Sequence, residues 1–84
     1  MLLVVTGGTI VWNGGAGIIS LTVFKGYFDA GNARKKPTIG SARFLGVAHE
    51  TIINLRNGVG GATFTDYEIH GTPTLLLPEG FKLQ

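Results

Sequence analysis

Apolar and polar residues alternate along much of this chain with a period of two. Across residues 17–24, Ile19, Leu21 and Val23 share one parity while Ser20 and Thr22 take the other. That alternation predicts a half-buried strand, because successive strand side chains point to opposite faces. The strand is expected to run on through Lys25 to Phe28. Residues 62–70 alternate in the same way, with Thr63, Thr65, Tyr67 and Ile69 on one side. Across residues 38–48 one parity holds Gly40, Ala42, Phe44, Gly46 and Ala48, and the other holds Ile39, Ser41, Arg43, Leu45 and Val47. A strand face of glycine and alanine lets another backbone or a ring approach closely. Short apolar runs at residues 2–6, 9–12 and 74–77 read as further strands. Residues 49–56 fit either one short helical turn or a short strand.

Turn signals separate these runs. Asn13-Gly14-Gly15 is the strongest, because Asn-Gly tolerates the positive φ angles of a tight hairpin. Residues 29–37 form the clearest loop, followed by glycine turns at 57–61 and breaks at 71–73 and 78–80. The signals recur about every 8–12 residues, the spacing of a sandwich or small barrel. The expected fold is therefore all-β: a small sandwich or barrel-like domain with glycine-rich turns. No internal repeat or domain boundary is evident, so residues 1–84 read as a single β domain. Residues 1–12 are a candidate docking arm within it. Gly7-Gly8 would weaken the centre of an ordinary strand, whereas a segment crossing to another chain can use such a hinge. An ordinary first strand is the competing reading.

Composition narrows the function classes. Of 84 residues, 14 are glycine, against about 7% in average proteins, and only 14% are charged, against about 25%. Glycine at this density opposes a helical bundle, and 44% apolar content opposes disorder. The absence of cysteine excludes a disulfide framework, a thiolate metal site and a cysteine nucleophile. A domain this small needs a further source of stability, and association between chains is the common one. Few surface charges agree with assembly. No segment reads as a signal peptide or a spanning helix.

No catalytic pattern emerges. Residues 2–8 resemble the strand and glycine turn of a dinucleotide site, but a hairpin signal follows where a helix should begin. His49-Glu50 lacks the second histidine of a zinc-protease helix, since position 53 is Ile53. Asp66 and Glu68 share a strand face, which usually means a solvated one. Neither Ser20 nor Ser41 has a nucleophile elbow around it. No catalytic residue, cofactor or metal site is expected. Net charge is +2, and the basic run Arg34-Lys35-Lys36 is the one feature that favours a small nucleic-acid-binding module. A solvated turn is the plainer reading of that run. Lys25 and Tyr27 share a parity, which suggests a core-and-edge arrangement more than a binding face.

One stretch resembles a family. Phe44-Leu45-Gly46-Val47-Ala48-His49-Glu50-Thr51-Ile52-Ile53-Asn54 is similar to the Gly-Val-Ala-x-Glu-Thr-(apolar)-x-Asn segment of small bacteriophage capsid decoration (cement) proteins. A glycine-rich turn at 58–61 and a strand ending at Gly71 follow, as in that family. Upstream, Phe24-Lys25-Gly26-Tyr27 and the loop ending in Lys36-Pro37 stand where the family has a Lys-Gly turn and a proline-bearing loop. The similarity covers residues 24–71. Arg56 stands in a turn that is usually more acidic.

The resemblance implies a virion structural protein that stabilises a phage shell. Its expected partners are the major capsid protein and sister copies of itself, with a trimer as the expected assembly. Its place would be the capsid surface, after synthesis in the bacterial host cytoplasm. No small-molecule substrate or membrane partner is expected, and nucleic acid is disfavoured. The interface candidates are Leu2, Leu3, Val4, Val5, Trp12, Phe44, Gly46 and Ala48. The alternatives are the nucleic-acid-binding module using residues 34–36 and a phage tail or connector component.

Overall fold

The computed structural model describes residues 1–83. Eight strands follow one another: β1 (Leu2–Val5), β2 (Thr9–Val11), β3 (Ile18–Val23), β4 (Gly26–Asp29), β5 (Thr38–Phe44), β6 (Val47–Asn54), β7 (Thr63–Ile69) and β8 (Thr72–Leu76). They form two four-stranded sheets, ordered β1-β3-β5-β7 and β2-β4-β6-β8, and every pairing is parallel. Odd strands lie in one sheet and even strands in the other. The chain thus winds as a solenoid of four rungs, each contributing one strand to each sheet.

Stacking explains the core. In a parallel ladder in register, each inward residue lies on its counterpart in the next rung. The first sheet stacks Leu3, Leu21, Ala42 and Tyr67, and beside them Val5, Val23, Phe44 and Ile69. The second stacks Ile10, Phe28, Ile53 and Leu75. Trp12, Ala30, Leu55 and Leu77 extend that sheet, joined by Trp12 N–H to the Asp29 carbonyl, Ala30 to Asn54 and Leu55 to Leu76, at 2.8–2.9 Å. The middle rungs are sealed: Leu21, Phe28, Ala42, Phe44, Ile53 and Leu55 are fully buried. Phe44 meets Phe64 edge-on, with ring centroids 6.2 Å apart, a favoured aromatic geometry.

Several sequence expectations are corrected here. The fold is all-β, but it is neither sandwich nor barrel, because every strand pairs in parallel with a strand two elements away. The Asn13-Gly14-Gly15 turn makes no hairpin and instead carries the chain from β2 to the next rung. The single strand expected from residue 17 to 28 breaks into β3 and β4, with a corner at Phe24-Lys25. Residues 49–56 contain no helical turn; residues 49–54 belong to β6. A repeat exists after all, hidden by its drift. The steps Leu3 to Leu21, Leu21 to Ala42 and Ala42 to Tyr67 are 18, 21 and 25 residues.

The strand parity also slips. Ile18 and Leu21 both face inward although they are three residues apart, and Ile19 is 67% exposed. Ile39 with Ala42, and Phe64 with Tyr67, repeat the step at the same level. Strict alternation placed Ile19 with Leu21 and Val23, and Thr63 and Thr65 with Tyr67 and Ile69; the stacked break in the pleat reverses both. The small-residue face of residues 38–48 dissolves for a related reason. Ala42 and Phe44 are core, Gly46 lies in the corner between β5 and β6, and Ala48 is exposed on β6. Gly40 does meet a backbone closely: a Cβ there would clash with the Ile19 carbonyl oxygen.

Candidate interaction surface

The first rung is chemically unlike the rest of the molecule. The first charged side chain in the sequence is Lys25. Among the described residues, eight large hydrophobics are exposed, and six of them precede Lys25: Met1, Leu2, Val4, Val11, Ile19 and Phe24. Leu2 and Val4 project from the outer face of β1, and Ile19 from neighbouring β3. Val11 projects from β2 in the other sheet. Scattered apolar residues are normal on a surface, but their concentration in a stretch without charged side chains makes this a candidate interaction surface.

The backbone adds a second property. The Met1 and Val5 carbonyls accept from Ile19 and Phe24 of the next rung at 2.8 and 2.9 Å. Along a strand these groups alternate sides, so the N–H and C=O of Leu2 and Val4 face away from β3. In β2, Gly8 accepts from Tyr27 and Trp12 donates to Asp29. Thr9 and Val11 therefore also face away from their sheet. Proline and lysine are the usual guards of such an edge, and the first rung contains neither.

The far end is guarded. Pro73 lies in β8 between Thr72, which donates to Gly46, and Thr74. Its ring nitrogen thus falls on the free edge, where proline is tolerated and gives a new strand no donor. Leu77, Phe81 and Leu83 pack against the core from this side. Asp66 and Glu68 stand on the outer face of β7, where Glu68 accepts from Arg43 at 2.8 Å and lies 3.5 Å from His70.

The residues singled out in the sequence divide accordingly. Leu2 and Val4 are on the exposed face, and Leu3 is partly buried. Val5, Trp12 and Phe44 are 2%, 6% and 0% exposed, so their side chains belong to the chain's own core. Residues 1–12 pair within the chain as its first rung. Val11, Ile19 and Phe24 escaped the sequence reading. The absence of charge before Lys25 is the signal that could have found them.

Other polar groups serve the framework. Arg34 and Lys35 line an open groove with Asn13, Gly14 and Asn32, where the loops leaving β2 and β4 lie side by side. Arg34 N–H reaches the Asn13 carbonyl at 3.4 Å. Asn54 donates to Tyr27 and Asp29 across the outer face of the second sheet, both at 3.3 Å. Thr51, fully buried, donates to the Phe24 carbonyl at 3.2 Å. His49 and Glu50 are exposed on the part of β6 that bulges between Val47 and Ile52. Among the described residues no three His, Asp or Glu side chains converge as metal ligands would. No family model, no curated protein and no solved structure matches this chain.

Proposed function

We propose that this chain is a structural, non-catalytic component of a virion: a capsid decoration or cement protein that binds sister copies and a phage shell. The observation that carries the reading is the uncharged first rung, whose apolar side chains stand exposed on a stacked, glycine-cornered β body. Such a body offers contact area with no moving part. Many weak contacts repeated over a shell then add up, because each copy held in place raises the effective concentration of the next contact. The resemblance to decoration proteins covers residues 24–71, from the corner before β4 to the end of β7, and its motif at residues 44–54 runs from the end of β5 through β6. The reading places the protein on the capsid surface, with the major capsid protein as partner.

The test is co-purification. Particles banded by density should carry this chain in a fixed ratio to the major capsid protein, and shells stripped of it should take it back to the same ratio. A chain that stays at the top of the gradient but binds oligonucleotides with a steep salt dependence would support the nucleic-acid reading instead. The observation in favour of that second reading is the groove lined by Arg34 and Lys35. A ratio of only a few copies per particle would point to a tail or connector component.

A further inference from the structure

We infer that two copies of this chain pair through their first rungs, β1 against β1 of the second copy, in an antiparallel and twofold-symmetric contact. This rests on the assembly part of the function proposed above and is independent of any shell. The partner is a second copy for three reasons, all visible at the two ends of the solenoid.

The first reason is the edge itself. Leu2 and Val4 turn their N–H and C=O groups away from β3, and no proline or charged side chain of the first rung guards them. An antiparallel pairing centred on Leu3 sets Leu2 opposite Val4 of the second copy, and Val4 opposite Leu2. Both are hydrogen-bonded pairs of the antiparallel ladder. The two Leu3 side chains then meet across the axis and continue the stack of Leu3, Leu21, Ala42 and Tyr67.

The second reason is charge. Two ends without charged side chains can meet without burying an ion pair, and the one charge beside them, the exposed Met1 ammonium, is turned to the Gly17 carbonyl at 3.4 Å, so this surface suits its own copy. The far end suits it poorly as a head-to-tail partner. Pro73 removes a donor from the β8 edge, and Leu77, Phe81 and Leu83 after it pack against the core. An isologous contact also closes on two copies, whereas head-to-tail stacking would run on into a filament. The expected number is therefore two for this contact, in place of the trimer that the family resemblance implies.

The third reason is area. The molecule measures 27 × 27 × 23 Å, so one end offers at most roughly 700 Å² per partner, close to the roughly 800 Å² per partner of a standard interface. With most of that end covered, the contact reaches the size of a small specific, reversible pair.

Sedimentation of the full chain tests this. The wild-type protein should reach twice the chain mass of 8.9 kDa and go no further as concentration rises. Val4→Lys puts a charge on a side chain already 61% exposed. It should weaken the pair by about tenfold or more, with an unchanged circular dichroism spectrum. Amide exchange on the wild-type chain supplies a readout that needs no variant. The Leu2 and Val4 amides should become protected as the pair forms. A wild-type chain that stays monomeric at millimolar concentration overturns the proposal. So does growth beyond two copies, or a pair in which the Leu2 and Val4 amides stay unprotected. A stable pair that fails to bind particles would leave this inference standing and remove the shell role.

Discussion

Gly71 lies directly on Gly46 at the corner where the first sheet turns into the second. Both have positive φ, +84° and +88°, and a Cβ on Gly71 would stand 2.5 Å from the Gly46 carbonyl oxygen. The same carbonyl accepts from Thr72 at 2.9 Å, so it cannot move aside without losing a rung contact. Gly71→Ala should therefore cost about 2 kcal/mol or more, from the left-handed backbone and the clash together. Gly58→Ala, where a Cβ meets nothing and φ is not positive, should stay within about 0.5 kcal/mol of wild type. Paired urea titrations measure both. Equal midpoints would show that the corner is not the constraint.

Asn57 fastens the turn after β6. Its Nδ2 donates to the Ala30 carbonyl at 3.2 Å and to Gly61 at 3.0 Å, while its Oδ1 accepts from the Val59 and Gly61 amides. Asn57→Asp keeps the shape and the acceptor but loses both donors, leaving a carboxylate against two carbonyls. The expected loss is about 1–3 kcal/mol. Protection of the Gly61 amide should fall less than with Asn57→Ala, which removes the acceptor as well. A variant as stable as the wild type would mean that water replaces the bracket.

Phe44, at the end of β5, and Phe24, at the corner after β3, separate core from surface. Phe44 is fully buried between Val23 and Ile69 and edge-on to Phe64. Phe44→Ala should cost about 3–5 kcal/mol, a large part of the roughly 5–15 kcal/mol that holds a typical domain together. Phe24 is 50% exposed, and Phe24→Ser should leave the midpoint nearly unchanged while improving solubility. Near-ultraviolet circular dichroism and denaturation of both variants check this. Equal destabilisation would show that Phe24 belongs to the core after all.

Arg43 and Glu68 form a short ion pair on the outer face, with both side chains 51% exposed. Solvent screens such pairs, and their contribution is about 0.2–1 kcal/mol. Arg43→Gln should thus shift the melting temperature only slightly, and raising salt from low to molar concentration should change the wild type by no more than that. A large salt-dependent drop would reveal a charge network beyond this pair and His70.

Much of the local structure was legible. The runs read at residues 2–6, 9–12, 62–70 and 74–77 are strands within about two residues, and the breaks at Gly7-Gly8 and Gly71 are corners, whereas Gly46, which alternation sets inside one strand over 38–48, is the corner that divides β5 from β6. The candidate interaction surface was half legible. Leu2 and Val4 stand out as apolar residues near the start, but strict alternation ties Ile19 to Leu21 and Val23 and so places it on their face. A break in the pleat between Ile18 and Leu21 reverses that, and nothing local marks it. Gly40 hints at it only in hindsight, since its missing Cβ leaves room for the Ile19 carbonyl in the rung above.

Sequence alone determined that this chain is made of strands joined by glycine corners, because a two-residue period and a demand for positive φ are properties of a few neighbouring residues. It could not determine which strand each would pair with. A corner at Gly46 serves a hairpin or a solenoid equally well, and pairing is decided by whether apolar residues some 18 to 25 positions apart face inward together when stacked. Tertiary structure made that choice: Val5, Val23, Phe44 and Ile69 bury one another only when every rung runs the same way. The same choice makes β1 and β2 outermost strands of their sheets among the described residues, so the candidate surface there is a consequence of the stack and not of any local motif.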